Sequence, residues 1–123
     1  MAISTSSSAS YKGKQFTIFV TLRVAVENIE KFKAVHRPLW KYVAAEPENI
    51  LFDVFEDLDA PGRFRFVEVW NQGREWFETQ QITKPYYRIL WEESQPLWIE
   101  DKKFEYYERT GEGFAVKEKY LEW

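Results

Sequence analysis

Cysteine is absent from the sequence of 123 residues, and histidine occurs only once. Without cysteine, disulfide bridges, thiolate catalysis, zinc fingers and iron–sulfur clusters are excluded. The single histidine, His36, excludes an ordinary histidine-rich metal site. No glycine-rich phosphate loop, nucleophile elbow or cluster of metal ligands is present either, so we expect no metal and no cofactor.

Long apolar runs and an excess of positive charge are also lacking. No segment approaches the about 20 apolar residues of a transmembrane helix, and the net charge is −3. This charge argues against electrostatic binding of nucleic acid or anionic lipid. We therefore expect neither nucleic acid nor a membrane among the partners. Residues 1–14 have no apolar run and do not resemble a signal peptide, which makes a cytoplasmic location the default expectation.

Aromatic residues are abundant, with six Trp, seven Tyr and ten Phe. This is more than a small core needs, and such side chains dominate ligand pockets and interfaces. The length and the composition, 45% hydrophobic and 30% charged, are those of one globular domain. We expect a disordered tail over residues 1–14, a folded domain over 15–109, and an apolar-aromatic extension over 110–123.

Hydrophobic periodicity predicts the secondary structure. Alternating residues indicate strands over 15–26, 50–56, 63–71 and 102–109, and turn residues at 57–62 make the second and third strands a hairpin. A stripe at spacings of three and four predicts a helix from Asn28 to before Pro47, with a kink or restart near Arg37 caused by Pro38. Shorter helices are predicted over 73–81 and 86–94.

This order of elements predicts an α+β fold of the ferredoxin-like, split βαβ class. Such a fold has an antiparallel four-stranded sheet with helices on one face. The other face would expose Phe19, Val67 and Val69, a patch large enough to require a partner. We therefore expect a homodimer with the two sheets face to face, in which the extension 110–123 clasps the neighbouring subunit.

His36 is a candidate general base because its ordinary pKa lies near neutrality. It follows the apolar stripe of the first helix and precedes the predicted kink, where irregular backbone can direct a side chain into a cavity. The alternatives are a solvated imidazole or one that is paired with a carboxylate.

Glu68 shares a strand face with Phe64, Phe66 and Trp70. If this face is buried, the pKa of the carboxyl should be raised, and the group could shuttle a proton. The alternative is a buried ion pair with Arg23, Arg37 or Arg88.

Aromatic side chains from several elements are expected to converge between the sheet and the helices. Core packing explains some of them, and the number of polar rings suggests a flat aromatic ligand or a large interface. Arg88 could pair with a phenolate or carboxylate of that ligand, or with Glu92 one turn away. The candidate ligand-binding residues are Trp40, Trp70, Trp76, Tyr86, Tyr87, Arg88 and Trp91.

Residues 45–70 (AEPENILFDVFEDLDAPGRFRFVEVW) resemble the core of the antibiotic biosynthesis monooxygenase domain family. The resemblance rests on an acidic-Pro turn, a D-x-x-x-P-G-R-F hairpin and a terminal E-x-W. Residues 81–87 (QITKPYY) are similar to a fungal-like branch, and the likeness extends over about residues 15–109. Thr79 and Gln80 stand where many members have a histidine, so haem degradation is not expected. Phe66 replaces a pocket asparagine of several oxygenases.

The resemblance implies a dimeric α+β barrel that oxygenates an aromatic or polyketide-like substrate of secondary metabolism without metal or flavin. In this scheme His36 is the base. Trp70, Trp40 and Trp76 stack on the substrate, and Tyr86 or Arg88 holds the phenolate in a water-poor hollow. The alternatives are a redox-neutral cyclase, isomerase, dehydratase or decarboxylase, or a ligand-binding module without catalysis.

Overall fold

One layer of the protein is a four-stranded sheet, and the computed structural model describes residues 11–122 of the chain. The strands pair in the order β2-β3-β1-β4, and every pair is antiparallel. The strands are β1 (Phe16–Arg23), β2 (Asn49–Glu56), β3 (Arg63–Trp70) and β4 (Lys103–Glu108). Residues 1–10 of the predicted tail and Trp123 of the predicted extension lie outside the described residues.

Helices cover one face of this sheet. They are α1 (Ile29–Ala45), α2, which begins as Arg74–Trp76 and continues as the π-helical turn Phe77–Gln81, and α3 (Pro85–Ser94). Pro85 opens α3, where its missing N–H costs no helical hydrogen bond. Among the described residues, no helix combines the length and the apolar character that crossing a membrane requires.

The predicted ferredoxin-like α+β fold is confirmed by the order β1-α1-β2-β3-α2-α3-β4 and by the sheet order. Period-two alternation turns one set of strand side chains toward the helices, where they form a single hydrophobic core with the buried helix residues. The largest buried members of this core are Phe16, Ile18, Leu22, Phe32, Phe64, Phe66, Trp70, Phe77 and Tyr87.

The prediction of the first strand was too long at its C-terminal end. The strand ends at Arg23, although the N–H of Val24 still donates 2.8 Å to the carbonyl of Gly62 in the β2–β3 turn, in the same register as the β1–β3 pairs. Val24 keeps one isolated bridge to Trp98, and a 3-10 turn follows over Val26–Asn28. The alternation of apolar residues thus continues beyond the strand itself.

Pro38 does not divide α1, so the predicted restart near Arg37 is wrong. The helix runs from Ile29 to Ala45 with Pro38 inside it. Proline removes the hydrogen bond to the carbonyl of Ala34, and both residues are exposed, so water can satisfy that carbonyl. Burial of the neighbouring His36 and Leu39 holds the helix together across this point.

The open face of the sheet is better covered than predicted. Val69 is buried, and Phe19 and Val67 are half-buried. The guanidinium of Arg65 lies 4.6 Å above the ring of Phe19, and the ring of Tyr107 meets it edge-on at 5.5 Å. Cross-strand neighbours therefore shield part of the patch.

Gly62 joins the β2–β3 turn to the end of β1. Its φ of +92° is unfavourable for any residue with a Cβ. A Cβ there would also lie 2.2 Å from the carbonyl oxygen of Val24, which is backbone and cannot rotate away. Both backbone conformation and close approach therefore require glycine.

We expect Gly62→Ala to lower the free energy of unfolding by about 3 kcal/mol or more, because a steric clash adds to the cost of positive φ. Gly111→Ala is the matched control. Gly111 also has a positive φ, of +86°, but its Cβ would meet nothing within 4 Å. The free energy of unfolding of this control should fall by only about 1 kcal/mol. Urea denaturation measures both values, and equal losses would contradict the steric argument.

Candidate functional site

Glu68 lies at the centre of the core, on the helix-facing side of β3. It is 6% exposed, and its cross-strand neighbours are Ile18 and Phe52. Burial among apolar side chains raises the pKa of this carboxyl to about 7, and a hydrogen bond from Trp70 opposes that rise. The group is therefore divided between its acid and its carboxylate at neutral pH.

The Trp70 indole is the partner of Glu68, with Nε1 donating to Oε1 at 3.3 Å. Within residues 11–122 Glu68 has no ion pair, so the predicted alternative of a buried arginine partner is not observed. A neutral donor orients the carboxyl without cancelling its charge. Glu68 can consequently either accept or release a proton.

A small enclosed cavity lies against Glu68. Its volume is about 20 Å³, which is enough for one water molecule and too little for a fused ring system. It is lined by Ile18, Val20, Leu39, Phe66, Glu68, Phe77, Ile82, Tyr87, Trp91 and Phe104. A hollow with room for a ring system was predicted, whereas the enclosed space found at Glu68 in this conformation is only as large as a solvent molecule.

A much larger groove of about 430 Å³ lies on the outer surface beside α3. Its walls are formed by Ile82, Thr83, Lys84, Pro85, Tyr87, Arg88, Trp91, Glu92 and Gln95. Three of these residues, Ile82, Tyr87 and Trp91, also line the enclosed cavity. The wall between groove and cavity is therefore one side chain thick. A movement of these three side chains would join the two spaces.

Arg88 is exposed in this groove. The described residues contain no ion pair of Arg88, and the predicted pairing with Glu92 is not formed. Its charge is available to an anionic group in the groove.

Two adjacent tyrosines connect the cavity to the protein surface. The Nε2 of Gln81 donates to the hydroxyls of Tyr86 and Tyr87, at 2.7 and 2.8 Å. The Tyr86 hydroxyl in turn donates to Oε2 of Glu46 at 2.5 Å, and Lys84 pairs with that same oxygen at 2.7 Å. Tyr87 lines the cavity, whereas Tyr86 lines a separate groove between α1 and α3. Burial raises the pKa of both hydroxyls, which keeps them protonated.

His36 is completely buried and lies away from the cavity. Its Nε2 is 2.7 Å from Oγ of Ser94, and its ring packs 4.2 Å from that of Phe32. The imidazole is neither solvated nor paired with a carboxylate, which were the two predicted alternatives to a catalytic role. Burial lowers its pKa to about 3, so it is neutral at physiological pH and holds a proton weakly.

The predicted tryptophans divide between separate clusters. Trp40 packs edge-on against Phe66 at 5.6 Å and beside His36, so it touches a wall residue of the cavity from behind. Trp76 packs 5.7 Å from Trp70 at the far end of β3. Of the predicted site residues, the structure brings Glu68, Tyr87 and Trp91 to the cavity, Trp70 to Glu68, and Arg88 to the adjoining groove.

Sequence reasoning missed Gln81, Ile82 and Glu46. Gln81 is fully buried four residues after Phe77, so its position on the apolar side of the predicted helix was a usable signal. Glu46 meets Tyr86 across 40 positions of sequence, and no local pattern indicates such a contact. In the part of the chain that the structure describes, no group of three or more acidic or histidine side chains is placed to hold a metal ion.

Comparisons with known proteins agree with this architecture. The chain is 28% identical over 93 residues to "Putative monooxygenase GME11364" of Pestalotiopsis microspora, covering 76% of this chain and 78% of the relative. Among solved structures, an antibiotic biosynthesis monooxygenase of Nitrosomonas europaea, also named as putative, has a TM-score of 0.72 and 22% identity, covering 82% of this chain and 95% of that one. A mutant form of SnoaB of Streptomyces nogalater has a TM-score of 0.67 and 13% identity, covering 81% of this chain and 97% of that one.

The family comparison is the most specific of these findings. The family model for antibiotic biosynthesis monooxygenase matches residues 15–81, more than half of the chain, from β1 to the end of the π-helical turn. The matched range contains the hairpin, Glu68, Trp70 and Gln81. The chain belongs to the antibiotic biosynthesis monooxygenase family.

Proposed function

We propose that the protein is an enzyme that oxygenates a hydroxylated aromatic or polyketide-like molecule of secondary metabolism without a cofactor. The observation that carries this proposal is Glu68, a carboxyl with a pKa near 7 that borders a cavity walled by aromatic and aliphatic side chains. Two relatives support it through their names: the Pestalotiopsis protein is called a monooxygenase, and SnoaB is called a cofactor-independent oxygenase.

Deprotonation of the substrate is the step that needs the protein. Glu68 takes a proton from a phenol or an anthrone, and the resulting anion transfers one electron to O₂. The carbon radical and superoxide combine into a peroxide, which then breaks its O–O bond. One oxygen atom becomes a carbonyl of the product and the other leaves as water. All electrons come from the substrate, so the reaction requires neither metal nor flavin.

Glu68 fits the role of base better than His36. A histidine with a pKa of about 3 does not retain a proton taken from a phenol, and His36 does not border the cavity. A carboxyl with a pKa near 7 accepts a proton at neutral pH and releases it afterwards. We assign His36, with Ser94, to support of the aromatic core behind the site.

The substrate would dock first in the groove beside α3. Arg88 offers a free positive charge there to a phenolate or carboxylate, and Trp91 and Tyr87 offer ring faces and edges. Displacement of Ile82 or Trp91 would then place a ring against Glu68. On this proposal Trp70 orients the base, while Trp40 and Trp76 support the walls.

We also propose that the protein is a homodimer formed through the open faces of two sheets. On that face Phe55 and Tyr107 are 48% and 52% exposed, beside the half-buried Phe19 and Val67. The extension after Gly111 exposes Phe114 and Leu121 and reaches the same face through a hydrogen bond from Tyr120 to Asp53. These surfaces suit a second copy of the chain.

Glu68→Gln should change how stability depends on pH. The pKa of Glu68 is raised from 4.5 to about 7 on folding, so the wild type loses about 3 kcal/mol of stability from this group as pH rises from about 4.5 to above 7. Glutamine does not titrate, so the variant loses no stability from this position as the pH rises. We expect the stability of the variant relative to wild type to rise by that amount between pH 4.5 and 8, measured by urea denaturation. Glu92→Gln, on the exposed side of α3, should show no such change.

Glu68→Gln should also lower kcat on an oxidisable probe, 1,8-dihydroxyanthrone, by about 10² to 10⁴-fold, the usual contribution of a positioned base. With labelled O₂, the wild-type product should gain one labelled oxygen, measured by mass spectrometry against the uncatalysed background. Glu27→Gln, an exposed residue in the 3-10 turn before α1 and outside both the groove and the cavity, should retain wild-type activity. Product formation under strict anaerobiosis would instead support a redox-neutral reaction. Binding of the probe with no turnover would support a ligand-binding module.

Phe55→Asp should weaken the proposed dimer, because it buries a charge in an apolar interface. We expect a shift from dimer to monomer in sedimentation equilibrium. Leu58→Asp is the control, since Leu58 is 94% exposed in the β2–β3 turn, outside the open face. A wild-type protein that sediments as a monomer at micromolar concentration would refute the dimer.

A further inference from the structure

The hydroxyls of Tyr86 and Tyr87 form a polar connection through an otherwise apolar helical layer. Both oxygens lie within hydrogen-bond distance of one nitrogen, Nε2 of Gln81, and the two rings are 4.8 Å apart. The shared donor therefore holds the two hydroxyls next to each other. Core packing alone does not require two adjacent hydroxyls and a fully buried amide at one point.

The donor of Gln81 sets the direction of this chain of hydroxyls. Each hydroxyl has one proton to donate, and Tyr86 donates its proton to the carboxylate of Glu46. Tyr86 can therefore only accept from Gln81, which fixes the amide with its NH₂ group toward both tyrosines. Tyr87 also accepts from this group, so its own proton is free to point toward Tyr86. The Tyr86 proton is thereby directed outward, and a Tyr87 proton turned toward Tyr86 points the same way.

The inner end of the chain reaches the base. Tyr87 and Glu68 both line the cavity of about 20 Å³, and that volume holds one water molecule, which can bridge them. The outer end is Glu46, whose side chain is 16% exposed and pairs with the more exposed Lys84. The chain of polar groups therefore runs from the buried carboxyl of Glu68 to the carboxylate of Glu46, which is in contact with solvent.

We propose that Tyr87 and Tyr86 relay the proton that Glu68 takes from the substrate outward to Glu46, with Gln81 as the residue that positions them. This inference rests on the proposed function, in which Glu68 is the base. Each step breaks one O–H bond and forms another: protonated Glu68 gives its proton to the cavity water, the water gives one to Tyr87, Tyr87 to Tyr86, and Tyr86 to Glu46. Glu46 releases the proton to solvent. Glu68 is thereby restored without opening the core to bulk water.

The relay can be tested in the free protein, because the indole N–H of Trp70 reports the protonation of Glu68. Its NMR resonance should titrate with a midpoint near pH 7. Relaxation dispersion of this resonance at pH 7 gives the rate at which Glu68 gains and loses its proton. We expect Tyr86→Phe and Glu46→Gln each to slow that exchange about tenfold or more, with the midpoint unchanged. The first variant lacks a hydroxyl of the chain, and the second lacks the carboxylate that accepts its proton.

Tyr42→Phe is the matched control. The ring of Tyr42 stacks on that of Tyr86 at 5.4 Å, but its hydroxyl is not part of the chain, so this variant should exchange at the wild-type rate. Exchange as fast as wild type in both Tyr86→Phe and Glu46→Gln would overturn the relay and leave Glu68 as the base. Absence of any titration of Trp70 between pH 5 and 9 would overturn the base and the relay together. Because Tyr86→Phe keeps the ring and Glu46→Gln keeps the shape, a loss of folding in one leaves the other to decide.

Discussion

The carboxyl of Glu68 is held in the middle of β3 by one neutral donor, the Trp70 indole, with no cation beside it in the described chain. A buried carboxylate without a counter-ion is costly, and the structure meets that cost by letting the group take up a proton. The remaining features of the site follow from this constraint. The walls must be apolar to keep the pKa high, and the few polar groups nearby must be neutral and oriented. The aromatic richness of the chain supplies such walls, since large rings from α2, α3 and β4 close over the same point.

The pKa values of two buried groups, His36 and Glu68, are shifted in opposite directions. His36 is neutral above a pH of about 3, and Glu68 is neutral below a pH of about 7. Between these values neither of the two groups is charged, and above neutrality Glu68 carries a negative charge. The protein therefore performs its proposed chemistry close to the pH at which Glu68 becomes charged. Function and stability favour different states of the same residue, as is common where a site is built inside a core.

Local patterns in the sequence predict the order of the helices and strands of this protein, and the faces of its strands, well. Period-two alternation places Glu68 on the inward face with Phe66 and Trp70, and the turn at 57–62 defines the hairpin. The predictions fail where a distant contact decides the outcome. Glu46 meets Tyr86 across 40 positions, Ser94 provides the partner of His36 from 58 positions away, and the widened turn at Phe77–Gln81 has no sequence pattern of its own. The cavity was expected near His36 and Trp70, because their elements converge. Its actual position depends on how rings from separate elements fill space, which residue spacing does not encode.

The partition formed by Ile82, Tyr87 and Trp91 has a consequence for how this site diversifies among related chains. Because these side chains line both the interior space and the outer groove, a single codon change that shortens one of them would enlarge the chamber abruptly rather than gradually. Glu68 and its orienting indole lie on a different element and would be untouched. On the proposed function, such a design would let the range of accepted molecules drift through mutations on the helical layer while the chemistry on the strand is inherited intact.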